Sequence, residues 1–465
     1  MTTLHQTLTL KVGLNRGTPR LYIASSRLDI AGLGVGAKFD VEYCEAAERI
    51  AIRQVADGAR AVCRKSVHGR MIPLIELKNS KLSMLVGRTV TVSIRNGGVD
   101  IELHHHQQRA ASRMKRLADE VASGEITGVE LCLGGGVMAD ALHVGALEAG
   151  VSIFNKAVIE AEGAYLESAA RNSRGVSART HLIQSRLEDV DMDLLPEVSL
   201  LCAGLPCTGA SLSGRAKRKN VHAEDHPDAG HLFVAFLEAV KQTNAAFVVL
   251  ENVVNFRHTA GYSVIRRVLT NWGYTCSEAV FGRSHCGALE NRQRLVMVAH
   301  TAPAAVRLES ITPMECTLKL GDVLDDVDPQ SPRWSEMRHL RAKEERDVAA
   351  GSNFRMQIVD GSSDFCPVIT AGYSRVRSTD PKVSHPINPL LLRQISPAEH
   401  CRIKGAPESL IAGLSTRVAH QVLGQSVLWA LFKRIGSEIG RAAREAVQPN
   451  LPEVRRQPIS NVTSC

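Results

Sequence analysis

Short runs rich in apolar residues punctuate the middle of the chain, at 126–132, 157–159, 182–185, 198–202, 246–250 and 295–299. They do not alternate apolar with polar residues, the pattern of strands buried on both faces of a mostly parallel sheet. Between them, 137–149, 166–172 and 232–243 place apolar residues at helical spacing. Strand alternating with helix predicts an α/β domain. Residues 1–103 follow another rule. Their short, β-branched or alternating segments, at 8–12, 20–24, 38–42, 72–77, 89–94 and 99–103, are separated by Gly32, Gly34, Gly36 and Asn96-Gly97-Gly98. This predicts a β-rich domain that ends in a hairpin. Ala111, Met114, Leu117 and Val121 then mark a helix over 107–122, closed by Gly124.

Composition narrows the class. At 465 residues the chain has room for two or three domains, and its 44% hydrophobic and 22% charged residues are ordinary for a globular protein. Eleven cysteines without regular spacing argue against a disulfide framework and for a reducing cytoplasm. The absence of a Cys-x-x-Cys pair leaves no structural zinc motif, and no metal is expected. Neither a signal peptide nor a bilayer-length apolar run is visible, so a cytoplasmic protein without a membrane partner is expected. Net charge is +8, and residues 1–110 hold 16 Lys+Arg against 9 Asp+Glu. That basic part suits a polyanionic partner.

The candidate chemistry gathers at strand ends. Pro206 presents Cys207 just after the run at 198–202, where a thiol can act as a nucleophile; taken alone, Cys207 reads as a small buried hydrophobe. Gly134-Gly135-Gly136 opens a helix, and Glu160 follows at the end of the next strand, where an acid can accept from ribose hydroxyls. Glu251 ends an apolar strand, a costly place for a carboxylate without a partner. Arg292 and Arg294, two apart, are expected to share one face of a strand. The basic run Arg215–Lys219 reads as a solvated loop or as one that closes over phosphates, and His104-His105-His106 as a solvated linker.

In this order, Pro206-Cys207, Glu251-Asn252-Val253 and Arg292-x-Arg294 resemble three central motifs of the 5-methylcytosine DNA methyltransferases that use S-adenosylmethionine (SAM). The glycine turn and Glu160 resemble that family's two cofactor motifs. Residues 393–405 resemble the motif that follows its target-recognition region, and Gly424-Gln425-Ser426-Val427 the last motif, which returns to the cofactor pocket. The resemblance covers 126–300 and 390–440, about half the chain.

The resemblance implies a Rossmann-like, SAM-dependent methyltransferase core with a mixed, mostly parallel sheet. Residues 1–105 would be a basic β-rich accessory domain, 106–124 a linker helix, 125–300 the catalytic core, 301–390 the target-recognition region, 391–446 the part completing the core, and 447–465 a tail. Cys207, Glu251, Arg294 and a supporting Arg292 would be catalytic. SAM would be held by Cys132, Gly134, Gly136, Glu160, Ala161, Leu187, Pro206, Leu232, Gln425 and Val427. Double-stranded DNA would be met by Ser211, Ser213, Arg215, Lys217, Arg218 and Lys219, and by Thr370, Tyr373, Arg375 and Arg377, the last four equally readable as a polar hairpin. The expected enzyme is a DNA (cytosine-5) methyltransferase of restriction-modification, orphan or prophage type, monomeric, with a cognate restriction endonuclease as a further partner. The alternatives are an RNA (tRNA) cytosine-5 methyltransferase and a DNA-binding regulator with a decayed methyltransferase domain. Departures cluster at the cofactor: Cys132 replaces an aromatic, Glu130 an Asp, Glu290 a Gln and Gln425 an Asn. The acid expected for the adenine is displaced, with Arg186 at the counted position and Glu188 and Asp189 close by.

Overall fold

The computed structural model describes residues 5–45, 48–206, 224, 230–351 and 355–447. The chain divides into two compact units, Met1–Ser112 and Arg113–Cys465.

Among its described residues the first unit holds ten strands in two antiparallel sheets. One has the order β1 (Gln6–Lys11), β9 (Thr89–Arg95), β10 (Gly98–Leu103), β5 (Arg49–Gln54), β4 (Lys38–Cys44), β6 (Arg60–Ala61). The other has the order β2 (Gly13–Asn15), β3 (Thr18–Ala24), β8 (Arg70–Lys78), β7 (Cys63–Val67). Alternation buries Leu21, Ile23, Ile50, Ile52, Ile75, Leu77, Val90 and Val92 in one core. The Asn96-Gly97 turn joins β9 to β10 with Arg95 paired to Gly98, as the sequence predicts. The helix α1 (His105–Ser123) starts two residues earlier than its apolar spacing indicates. His105 and His106, read as linker, form its first turn, their rings tilted against one another with centroids 4.0 Å apart.

The second unit is organised by a seven-stranded sheet of order β13 (His181–Gln184), β12 (Ser152–Glu160), β11 (Glu125–Leu131), β14 (Leu200–Gly204), β15 (Phe247–Asn252), β17 (Arg294–His300), β16 (Thr275–Phe281). The first five are parallel; β17 runs antiparallel to both of its neighbours. The central strands are apolar throughout because both faces are covered. Leu200, Cys202, Phe247, Val249, Val296 and Val298 face one core, and Leu201, Ala203, Val248, Leu250, Leu295 and Met297 the other. Helices α2 (Val137–Glu148) and α9 (Trp429–Val447) cover the first face; α4 (Leu232–Thr243) and α5 (Ala260–Asn271) cover the second. Glycines let α2 and α9 touch by backbone: a Cβ at Gly145 would overlap the Lys433 carbonyl, and one at Gly436 would overlap Leu142. The remaining helices among the described residues are α3 (Gly163–Asn172), α6 (Arg338–Ala349), α7 (Pro397–Ile403) and α8 (Thr416–Gln425). No helix among the described residues is long and apolar enough to cross a membrane.

Candidate active site

The chain runs β11, β12, β13 towards one edge of the sheet and β14, β15 towards the other, so strand order reverses between β11 and β14. A crevice opens at the carboxyl ends of the strands at such a point. Here it is a cavity of about 400 Å³ with a wall from every one of these strands: Glu130 and Cys132, Ile159 and Glu160, Ser185 to Glu188, Gly204 to Pro206, and Glu251 to Val253. Gln425, Ser426 and Val427, at the end of α8, close it.

Cys132 directly follows β11 at φ +55°, a left-handed conformation that non-glycine residues rarely adopt. The turn that follows lets the Gly134 N–H donate to Glu160 Oε2 at 2.6 Å, while the Glu162 N–H donates to Oε1 at 2.9 Å. A Cβ at Gly135 would overlap Val422, so this turn admits α8 closely. Gly136 does not line the cavity. At φ +75° it lets α2 start against α3, where a Cβ would lie 2.9 Å from that of Ala169. Its requirement is helix packing rather than ligand contact. The other nine residues expected around the cofactor (Cys132, Gly134, Glu160, Ala161, Leu187, Pro206, Leu232, Gln425 and Val427) all line the cavity.

On the far wall, Gly204 pairs with Glu251 across β14 and β15, which sets the carboxylate beside the Leu205-Pro206 segment. Asn252 Nδ2 donates to the Leu205 carbonyl at 3.0 Å and holds that segment in place. Arg294 Nε lies 2.7 Å from Glu251 Oε1. Burial pushes the Glu251 carboxyl above its ordinary range, against the pull of Arg294 and Arg292. An acid so placed faces the cavity, where it can exchange a proton with a bound group.

Arg292 is corrected on two counts. It precedes β17 rather than lying on it, so strand alternation does not put it beside Arg294. Its side chain turns into a buried cluster instead, with Nε 3.2 Å from Glu290 Oε2 and Nη2 donating to the Ile369 and Gly424 carbonyls at 3.3 and 2.6 Å. Lys404 Nζ completes the cluster 2.6 Å from Glu290 Oε2. Arg292 is therefore a positioning residue that ties the start of β17 to the segment closing the cavity. Spacing could not reveal this, because Lys404 and Gly424 lie more than a hundred residues away.

The 368–377 stretch is not a hairpin but a short 3₁₀ turn, Tyr373–Arg375. Tyr373 is fully buried, its hydroxyl donating to the Pro381 carbonyl and accepting from the Ile395 N–H, both at 2.8 Å. It belongs to the core of this region and cannot touch DNA. Thr370 donates to Asp380 Oδ1 at 2.9 Å, whereas Arg375 and Arg377 are exposed. Cys207, Ser211, Ser213, Arg215, Lys217, Arg218 and Lys219 lie outside the described residues.

Glu130, which stands for an Asp in the cofactor motif that the resemblance implies, is also a member of the cavity wall. Its carboxyl is 1% exposed, burial pushes it up to about 8, and Oε1 has no hydrogen-bond partner among the described residues. The displaced acid beyond β13 resolves in favour of Glu188. It reaches the cavity and Asp189 does not, but Arg186 holds Glu188 Oε1 at 2.6 Å.

Residues 176–441 match the family model of the C-5 cytosine-specific DNA methylases. The chain belongs to that family. The match begins after the glycine turn and Glu160, so the cofactor side of this methylase rests on cavity geometry. Type II methyltransferase M.SsoII of Shigella sonnei is 27% identical over 264 residues, 54% of this chain and 66% of that one. The chain thus spans just under two thirds of that relative's length. M.HpaII of Haemophilus parainfluenzae is 22% identical over 273 residues, 54% of this chain and 75% of that one. The S. pombe Dnmt2 methyltransferase structure superposes with a TM-score of 0.53 at 16% identity, covering 70% of this chain and 99% of that one. That likeness is one of fold. It gives the Rossmann-like methyltransferase core independent support.

Proposed function

We propose that this methylase transfers a methyl group from SAM to C5 of a cytosine in duplex DNA. The observation that carries the reading is the Glu251–Arg294 pair on the cavity wall beside Leu205-Pro206. The residues present fit the cofactor. The orphaned Glu130 oxygen suits a cationic group, Glu160 keeps lone pairs for ribose hydroxyls, and the volume falls within the range of small-molecule sites. SAM would supply an electrophilic methyl on a sulfonium.

Cytosine C5 is a weak nucleophile. In the proposed cycle the Cys207 thiolate adds to C6 while Glu251 gives its proton to N3, so the ring becomes enamine-like without gathering charge. Arg294 holds the Glu251 carboxylate that remains and the base carbonyl. C5 then takes the methyl, with a neutral thioether as the leaving group; C5 loses its proton to solvent, N3 returns its proton to Glu251, and the C6–S bond breaks to restore the thiolate. The target base must leave the helical stack to reach the cavity, a task proposed for Ser211, Ser213 and the Arg215–Lys219 run. Arg375 and Arg377 remain candidates for DNA contact.

Labelled SAM with mixed-sequence DNA and tRNA offered together tests the reading: label should enter DNA at C5, and Cys207→Ser should abolish it. Label in tRNA alone would favour RNA as the substrate. Absence of SAM binding by calorimetry would mark a decayed site. The Type II relatives further suggest a host-protection role beside a restriction endonuclease, which methylation of a recurring short site in host DNA would support.

A further inference from the structure

The first unit is an internal duplication. Strands β1 to β5 and β6 to β10 follow the same course, and each sheet order reads as a palindrome under the exchange of β1 with β6, β2 with β7, β3 with β8, β4 with β9 and β5 with β10. The register is equally symmetric. β3 and β8 pair as Arg20–Lys78, Tyr22–Glu76 and Ala24–Leu74, so every pair is matched about Tyr22–Glu76. β5 and β10 pair as Ile50–Ile101, Ala51–Asp100 and Ile52–Val99, matched about Ala51–Asp100. One two-fold axis therefore pierces both sheets.

Local details repeat too. Ser25 and Asn79 cap their 3₁₀ turns by accepting from the N–H two residues on, at 3.0 and 2.9 Å. The Gly36 N–H donates to the Val62 carbonyl as the Gly87 N–H does to Val12, at 2.9 and 2.8 Å. Both exchanges cross between halves, since β1 pairs with β9 and β6 with β4. Neither half can close its sheet without the other.

The axis leaves two outer faces, and charge distinguishes them. The six-stranded face sets Lys11, Lys38, Arg49, Arg53 and Arg95 against Asp40, Glu42, Asp100 and Glu102, close to neutral. Asp100 there is held by Arg53 at 2.7 Å and Arg49 at 3.0 Å, and also pairs with Arg95. The four-stranded face sets Arg20, Lys65, Arg70 and Lys78 against Glu76 alone. At its centre the Tyr22 ring lies under two cations, Arg20 at 4.7 Å and Lys65 at 4.8 Å.

We propose that this four-stranded face is a docking surface for duplex DNA, separate from the catalytic cavity. The two-fold of the backbone does not extend to the cations, since it relates Arg20 to Leu74 and Lys78 to Ala24. The match to a duplex is one of charge, a net basic sheet face against closely spaced phosphates, and of an antiparallel strand pair to a major groove that admits a two-stranded ribbon. Single strands offer no such groove. The surface would add affinity that is independent of methyl transfer.

The test uses the full chain without SAM, so it can fail without touching the methylation reading. Binding to a fluorescent 30-base-pair duplex is followed against salt for wild type, for Lys65→Gln/Arg70→Gln/Lys78→Gln, and for a control triple, Lys11→Gln/Lys38→Gln/Arg88→Gln. All six positions are at the surface, and melting curves confirm that each variant folds. With one phosphate per cation, the sheet-face triple should lower the log–log salt slope by about 2.7 and weaken binding by roughly 10²-fold at 0.1 M salt, while the control barely moves. An unchanged slope overturns the proposal, and so does an equal loss in the control. Equal binding of a single-stranded RNA of the same length, lost in the same variant, also overturns it by making the face a general polyanion site.

Discussion

Glu130 gives the sharpest physical test of the cavity. Its carboxyl is fully buried at the end of β11 and pushed up from 4.5 to about 8, chiefly by desolvation. The folded state therefore keeps a proton that the unfolded chain releases above pH 4.5. Wherever the native state binds more protons, stability falls as pH rises. This one group should remove about 1.4 kcal/mol per pH unit between roughly pH 5 and 8, on the order of 5 kcal/mol in all. Glu130→Gln keeps the shape and removes the titration, so the difference between wild type and variant in urea unfolding should grow with pH across that window. A cationic ligand beside the orphaned oxygen reverses the preference and expels the proton. Calorimetric titration with SAM at pH 7, in buffers of different ionisation enthalpy, should then show close to one proton released by wild type and none by Glu130→Gln. Parallel pH profiles, or no proton released by wild type, would refute the reasoning.

Three further outcomes follow from the same geometry. Glu251→Gln should cut methyl transfer by about 10²–10⁴-fold while leaving calorimetric SAM affinity within a few-fold, because it removes a proton donor and little volume. In the buried cluster, Glu290→Gln leaves Arg292 facing Lys404 and should cost roughly 3–5 kcal/mol in denaturant unfolding. Lys404→Met, which leaves the Glu290–Arg292 pair balanced, should cost far less; the reverse ranking contradicts this account. Gly424→Ala would drive a Cβ into the Thr370–Ala371 backbone, so a loss of roughly 1–3 kcal/mol together with weaker SAM binding is expected by melting and calorimetry.

The buried strands were legible because both their faces are covered and their sequences are apolar throughout; 198–202 and 246–250 fall within a residue or two of β14 and β15. Cavity residues were legible where they end such strands, as Glu160 and Glu251 do. Side chains set by distant segments were not. Arg292 took its place from Gly424, and Tyr373 from Pro381 and Ile395. The tandem repeat of the first unit is hidden in the sequence for a related reason. Its halves share a pattern of burial and turns, while paired positions such as Tyr22 and Glu76 differ in chemistry.

Trp429 donates to Asp140 at 2.7 Å across 289 positions, and α8 seats Gln425 over the glycine turn that starts α2. This seam has a consequence for the order of events in a cell. At the usual pace of synthesis, roughly 5–20 residues per second, β11, α2 and Glu160 wait at least about 15 seconds for the segment that closes over them. Until then the ribosome carries an open half-site with the apolar face of α2 uncovered. The cavity is thus walled only once α8 has been made, so a product ended before it has the sheet but an open crevice.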